Sequence, residues 1–134
     1  MELRNHEIES TIASLETLKG LLLDGKLALA VVKAKNQLKL KHLEVEEAKK
    51  SVIEYLCTKD EEGKPIQKVI QDKGRSFISY EFPTTDDSKK CGEEIIKIDN
   101  EKTTIEIVEL FPESKLSAIN CSPDQMEALI IFAQ

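Results

Sequence analysis

The feature that most constrains the fold is a stretch from Lys26 to about Thr58 that contains neither glycine nor proline. Apolar residues recur along it at heptad spacing, in two series: Val31, Leu38, Val45 and Val52, and Leu27, Ala34, Ala48 and Tyr55, the second interrupted only by Lys41. A period of 3.5 residues is typical of a helix that packs along one seam against another helix. The pattern therefore predicts a single helix of about 32 residues, about 48 Å long.

A shorter helix precedes the long one. Its apolar residues follow each other at spacings of three and four, which places them on one helical face: Ile8, Ile12, Leu15, Leu18 and Leu22. Asn5 is the expected N-cap, and Gly25 is the expected left-handed residue after the last turn. At roughly 18 residues, the first helix covers only the first half of the long helix in an antiparallel hairpin.

This difference in length leaves the second half of the long helix without a helical partner inside the hairpin. Either the C-terminal part of the chain packs on it, or another subunit or protein does. The candidate partner interface consists of Val45, Ala48, Val52, Tyr55 and Leu56.

The rest of the chain predicts a mixture of short elements. Residues 66–70 and 76–82 are expected to form a β-hairpin, with alternation in the second strand that predicts one buried face. A short helix is expected over 86–96 and a β-branched strand over 103–110. Ser122 then begins a C-terminal helix with a capping box and a proline at its first position. The predicted fold class is α+β.

Size and composition limit what such a chain can do. Its 134 residues predict a single domain, with the helical hairpin in 1–58 and the other elements in 59–134. A net charge of −6 and the absence of tryptophan argue against nucleic acid as a partner. No apolar run is long enough to cross a membrane. Three widely spaced cysteines are expected to be reduced, which predicts a cytoplasmic location.

No set of residues has the spacing of a catalytic, cofactor or metal site. His6 and His42 lie on different helices, 36 positions apart, and neither stands near a cysteine at metal-ligand spacing. The five glycines are dispersed, so no phosphate-binding loop is present. We therefore predict no enzymatic activity, no cofactor, no metal and no small-molecule substrate.

The first half of the long helix carries an excess of positive charge. The segment from Lys26 to His42 contains five lysines and no acid. One interpretation is a patch that binds an anionic ligand, formed by Lys33, Lys35, Lys39 and Lys41. The alternative, which we favour, is that these lysines flank the helix–helix seam and pair with the acids of the first helix, Glu7, Glu9, Glu16 and Asp24.

Several segments resemble a family of short proteins of tailed phages and prophages, a domain of unknown function. The segments are Leu3-Arg4-Asn5-His6-Glu7-Ile8, Lys26-Leu27-Ala28-Leu29-Ala30, Glu46-Glu47-Ala48, the turn Lys59-Asp60-Glu61-Glu62-Gly63-Lys64-Pro65, Tyr80-Glu81-Phe82 and Ser122-Pro123-Asp124-Gln125-Met126-Glu127-Ala128-Leu129. The family has no assigned reaction and no agreed catalytic residues. The resemblance implies a phage or prophage origin and a bacterial host cytoplasm.

Together these observations predict a non-enzymatic phage protein that acts by self-association or by binding another protein. Assembly factor and minor structural component are the expected roles. The alternative is an accessory or anti-defence protein that binds a nucleotide or nucleic acid through the lysine patch.

Overall fold

The chain folds into five α-helices and four short β-strands, which confirms the predicted α+β class. In chain order the elements are β1 (Glu2–Arg4), α1 (Ile8–Glu16), α2 (Gly25–Leu56), β2 (Gln67–Asp72), β3 (Arg75–Tyr80), α3 (Thr85–Asn100), β4 (Lys102–Thr104), α4 (Glu113–Ser117) and α5 (Pro123–Ile130). The structure is a computed structural model that describes all 134 residues. None of its helices combines the length and the hydropathy needed to cross a membrane.

These elements belong to two compact units. Unit 1 comprises Met1–Glu44 and Asn100–Gln134, and unit 2 comprises Val45–Asp99. α2 contributes its first 20 residues to unit 1 and the remaining 12 to unit 2. The units therefore do not follow the sequential division at residue 58.

The long helix is present as predicted, with 32 residues. It begins at Gly25 because Asp24 caps it, its Oδ1 accepting a hydrogen bond from Leu27 N at 3.0 Å. The face of α2 that points into unit 1 is buried. The buried residues on it include four that belong to the predicted heptad seam: Leu27, Val31, Ala34 and Leu38. The heptad pattern therefore located the core side of the helix.

The first helix is shorter than predicted. α1 has nine residues, preceded by a 3₁₀ turn at Asn5–Glu7. The prediction of Asn5 as the N-cap is wrong, because the 3₁₀ turn begins at Asn5 itself and Arg4 is its N-cap. Asn5 is buried, and its Oδ1 accepts a hydrogen bond from the Thr103 hydroxyl. At the other end, the residue with positive φ is Gly20 (φ 90°), whereas Gly25 lies in α2.

Unit 1 is built around an apolar core of aliphatic side chains and two phenylalanines, Phe111 and Phe132. α1 packs against α5, and Gln125 Nε2 donates to Thr17 O at 2.8 Å. The side chains with almost no exposure include Ile8, Leu15, Leu129 and Phe132. β1 pairs antiparallel with β4, with Leu3 opposite Thr103.

The predicted strand over 103–110 is wrong beyond Thr104. β1 has only three residues available for pairing. The last hydrogen bond of the ladder is therefore the one that Ile105 N donates to Met1 O at 2.9 Å. The backbone of Glu106 bonds the Gln37 amide of α2 instead, through both its N–H and its carbonyl. A strand partner, rather than β propensity, sets the length of β4.

Unit 2 holds the β2–β3 hairpin and α3. The hairpin joins Asp72 to Arg75 through Lys73 and Gly74 alone, and both have positive φ, as a type I′ turn requires. α3 extends over Thr85–Asn100, so it is longer than the predicted 86–96 at both ends, and Gly92 does not interrupt it.

The last helix starts as predicted. Ser122 Oγ accepts from Gln125 N at 3.2 Å, and Gln125 Oε1 accepts from Ser122 N at 2.9 Å, which is a capping box. Pro123 occupies the first helical position. Together these contacts satisfy backbone groups that the start of a helix would otherwise leave unpaired.

Candidate functional site

The second half of α2 combines buried and exposed apolar residues within unit 2. Val45 is buried, Val52 and Leu56 are half-buried, and Ala48 and Tyr55 are exposed, Tyr55 by 80%. Val45 is therefore part of the core and not of an accessible interface. The other four candidate interface residues remain at least partly accessible.

Three of these residues line a groove between α2 and α3. It has a volume of about 320 Å³ and is lined by Ser51, Val52, Tyr55, Leu56, Lys90 and Glu94. Its walls are largely apolar, with one cation and one anion contributed by α3. Lys49 of α2 pairs with Asp99 of α3 at 2.5 Å and joins the same two helices. The groove is therefore largely apolar and lies between two helices that an ion pair joins.

The hairpin of unit 2 is firmly held at its base. Thr58 N donates to Glu81 O at 2.7 Å, and Ile66 N donates to Thr58 O at 3.0 Å, so that the end of α2 and the hairpin are bonded together. The preceding turn is closed by Asp60, whose Oδ1 accepts from the backbone N–H groups of Glu62 and Lys64, both at 2.9 Å. The orientation of the hairpin base is thus fixed by backbone bonds.

Beyond that base, the hairpin exposes apolar side chains on both faces. Val69 lies opposite Ile78, and Ile70 lies opposite Phe77. Since successive residues of a strand point to opposite faces, one pair lies on each face. All four side chains are between 48% and 70% exposed. The prediction of one buried face is therefore wrong at Ile78, because nothing in the chain packs on that part of the hairpin.

The lysines of the predicted anion patch are mostly paired within unit 1. Lys39 lies 3.2 Å and Lys35 lies 3.9 Å from a carboxylate oxygen of Glu16. Lys41 lies 3.3 Å from Glu44. Only Lys33 of the four has no ion pair. The Lys39 hydrogen bond and the charge of Lys35 lower the pKa of Glu16. This arrangement supports the alternative in which the lysines pair with the first helix.

The cysteines are unpaired. Cys57 and Cys91 are buried in unit 2, and Cys121 is half-buried in unit 1. Burial raises the pKa of the Cys91 thiol, and the neighbouring Cys57 raises it further. A thiol with a raised pKa is protonated at neutral pH and is a poor nucleophile.

Unit 1 also contains an open cavity of about 550 Å³ beside α1 and α5. Three of its lining hydroxyl groups donate to backbone carbonyls: Ser10 and Thr11 to Glu7 O at 3.0 and 2.7 Å, and Thr17 to Ser14 O at 2.6 Å. Asp124 and Glu127 also line the cavity, and neither is bonded to one of these hydroxyls. These three hydroxyls are therefore not paired with a side-chain base.

No group of three or more His, Cys, Asp or Glu side chains is placed to hold a metal ion. No protein-family model, curated protein or solved structure matches the chain. The candidate functional surface consists of the hairpin tip, formed by Val69, Ile70, Phe77 and Ile78, and the α2–α3 groove, both in unit 2.

The sequence predicted three of the groove residues, Val52, Tyr55 and Leu56, as part of a candidate interface. It did not predict the hairpin tip as a binding surface. A usable signal was present, since apolar residues stand side by side in both strands, as Val69-Ile70 and as Phe77-Ile78. Adjacent apolar residues point to opposite faces of a strand and so indicate a ribbon that is apolar on both sides.

Proposed function

We propose that this chain is a non-enzymatic protein that acts by binding another protein, as an assembly factor or minor structural component of a tailed phage or prophage in its bacterial host cytoplasm. The resemblance of its sequence motifs supports the phage setting. The hairpin tip, defined as Val69, Ile70, Phe77 and Ile78, supports the binding role and is the observation that carries the proposal.

The physical argument concerns water-exposed apolar surface. A two-stranded hairpin alone is marginally stable, and stable sheets cover at least one apolar face. Here both faces of the tip stay exposed although the base is fixed by backbone bonds. A protein partner that packs on a face, or adds a strand along a free edge, would remove these side chains from water.

The alternative of anion binding through the lysine patch has less support. Two of its four lysines already neutralise Glu16, and a third pairs with Glu44. An anionic ligand would have to compete with these carboxylates. Aromatic side chains, on which bases could stack, are absent from this part of α2.

The proposal is tested by affinity capture from phage-infected or lysogenic cells, followed by reconstitution with the purified partner. Val69→Ser/Ile78→Ser removes the apolar pair from one face, and Ile70→Ser/Phe77→Ser removes it from the other. Ile130→Ser is the matched control, since Ile130 is 60% exposed and lies in unit 1. We expect at least one hairpin variant to weaken binding about tenfold or more, with the control unchanged.

Circular dichroism and thermal unfolding of each variant establish that it is folded. Tyr55→Ala tests in the same assay whether the α2–α3 groove belongs to the binding surface. Equal binding by the wild-type chain and both hairpin variants would overturn the proposal.

A further inference from the structure

A second apolar stripe runs along the part of α2 that belongs to unit 1. It consists of Leu29, Val32, Leu40 and Leu43, with Asn36 at its centre, and is called the outer stripe below. At about 100° per residue, these five positions project within about 40° of one direction, opposite to the buried side of the helix. The four apolar side chains are between 46% and 61% exposed. A contiguous stripe of this kind differs from scattered apolar residues on a surface.

The elements beside α2 leave the outer stripe open. On one flank, Lys39 reaches Glu16 of α1. On the other flank, the Gln37 amide donates to Glu106 O at 2.8 Å and accepts from Glu106 N at 2.9 Å. Both contacts lie to the sides of the stripe, so a second helix has free access between them.

The stripe is symmetric about Asn36. Leu29 and Leu43 each lie seven positions from it, and Val32 and Leu40 each lie four positions from it. In an antiparallel pair of identical helices related by a twofold axis, a residue before the centre meets the residue equally far after it. Such a surface is complementary to itself.

We propose that a second copy of this chain covers the outer stripe, with the two α2 helices antiparallel and the twofold axis beside Asn36. Leu29 then packs on Leu43 of the second copy, and Val32 packs on its Leu40. The Asn36 amides of the two copies face each other, and an amide both donates and accepts hydrogen bonds. A polar residue at one position of an apolar seam fixes register and orientation.

The charges beside the stripe select the antiparallel orientation. Lys26, Lys33 and Glu44 lie on one flank of it. In the antiparallel pair, Lys26 lies about 3 Å along the axis from Glu44 of the second copy. In a parallel twofold pair this flank would face the opposite flank of the second copy, so Lys26 would not lie beside Glu44. Lys26 is also 4.0 Å from the exposed Glu109 within the chain, a pair that a closer carboxylate would replace.

The expected dimer is weak. The outer stripe is about 21 Å long and presents four apolar side chains per copy, which is less than the roughly 800 Å² per partner of standard stable interfaces. Association is therefore expected to be reversible and concentration-dependent. It uses a surface of unit 1 and is independent of the proposed binding through unit 2.

Analytical ultracentrifugation of the full chain over a wide concentration range is the first test. We expect a monomer–dimer equilibrium, and Leu40→Ser should raise the dissociation constant about tenfold or more. Ile130→Ser is again the matched control, because Leu40 and Ile130 are 59% and 60% exposed. Glu44→Lys should also weaken the dimer, and Lys26→Glu/Lys33→Glu added to it should restore association.

Disulfide trapping tests the orientation. Oxidised Asn36→Cys should form a covalent dimer, because position 36 meets itself across the axis. Oxidised Leu40→Cys should not, since the two positions are about 12 Å apart along an antiparallel pair. The wild-type chain controls for its own three cysteines.

Three outcomes would overturn the proposal. One is a strict monomer at every concentration, which would leave the outer stripe to a different protein. Another is a dimer that Leu40→Ser does not weaken. The third is equal trapping of Asn36→Cys and Leu40→Cys, which is the pattern of a parallel pair. The hairpin variants described above retain the outer stripe and should still dimerise, so failure of one proposal is distinguishable from failure of the other.

Discussion

Gly20 and Gly25 have different backbone conformations although they are only five positions apart in the sequence. Gly20 has φ 90°, a conformation in which a Cβ is strained. Gly25 is the first residue of α2 and does not have positive φ. A Cβ would meet nothing within 4 Å at either site, so the backbone conformation alone distinguishes them.

We predict that Gly20→Ala lowers the free energy of unfolding by about 1 kcal/mol, because alanine is strained at positive φ. Gly25→Ala should leave it unchanged or raise it by up to about 1 kcal/mol, because alanine favours the helix. Urea unfolding followed by circular dichroism measures both. Equal effects at the two sites would contradict the assigned conformations.

Glu16 is the residue on which the charges of α1 and α2 converge. Lys39 and Lys35 lower its pKa below the ordinary value of 4.5, and Lys19 contributes least. Since the folded state favours the charged form, the stabilising contribution is present above pH 4.5 and is lost as the pH falls through the lowered pKa. The group is exposed, so salt weakens the effect.

We predict that NMR titration finds a Glu16 pKa below 4.5 and that Lys39→Ala moves it back toward that value. Lys19→Ala is the matched control and should move it less, although Lys19 lies 3.9 Å away. A Glu16 pKa that is insensitive to Lys39→Ala would show that the pair does not form in solution.

At the scale of elements, α2 has two apolar faces with different surroundings. Leu27 is 1% exposed and belongs to the core of unit 1, whereas Leu29, two residues later, points the other way and is 53% exposed. The two residues are chemically identical and share one helix. Any difference between them therefore reports packing and not helix propensity.

We predict that Leu27→Ala lowers the free energy of unfolding by about 2–5 kcal/mol, because it leaves a cavity in the core. Leu29→Ala should change it by less than about 0.5 kcal/mol when measured at a protein concentration too low for dimers. Chemical denaturation measures both. Similar losses at the two positions would contradict the burial of one face only.

The strands show that β propensity along the sequence does not determine strand length or burial. The run that follows Thr103 is β-branched and alternates, yet only Lys102–Thr104 forms a strand, because β1 has three residues to offer. The hairpin has its turn where expected, but its apolar residues face solvent on both sides. Pairing and burial in a sheet depend on residues distant in sequence.

At the scale of the whole molecule, the buried apolar side chains are unevenly distributed. Fifteen of the eighteen lie in unit 1, and only Val45, Cys57 and Cys91 lie in unit 2. Regions with few buried apolar contacts open at lower free energy than well-packed cores. Unit 2 also carries the hairpin tip proposed to bind a partner.

We predict that amide hydrogen exchange is slower in the unit 1 part of α2, around Val31 to Leu38, than in its unit 2 part, around Val52 to Leu56. Both stretches belong to one continuous helix, so each is the control for the other. Mass spectrometry of peptic fragments measures the rates. Uniform protection along the helix would contradict the unequal packing of the two units.

The sequence by itself determined the features whose causes are local. The length of α2, its buried face in unit 1, the Ser122 capping box and the position of the hairpin turn follow from spacing, capping and turn chemistry within a few residues. The tertiary structure alone decided the features that depend on distant partners. It ended β4 at the last residue that β1 can pair with, it buried Asn5 and Val45, and it left the hairpin tip and the outer stripe exposed. Periodicity shows that a face is apolar, but only the packing of the whole chain decides whether anything covers it.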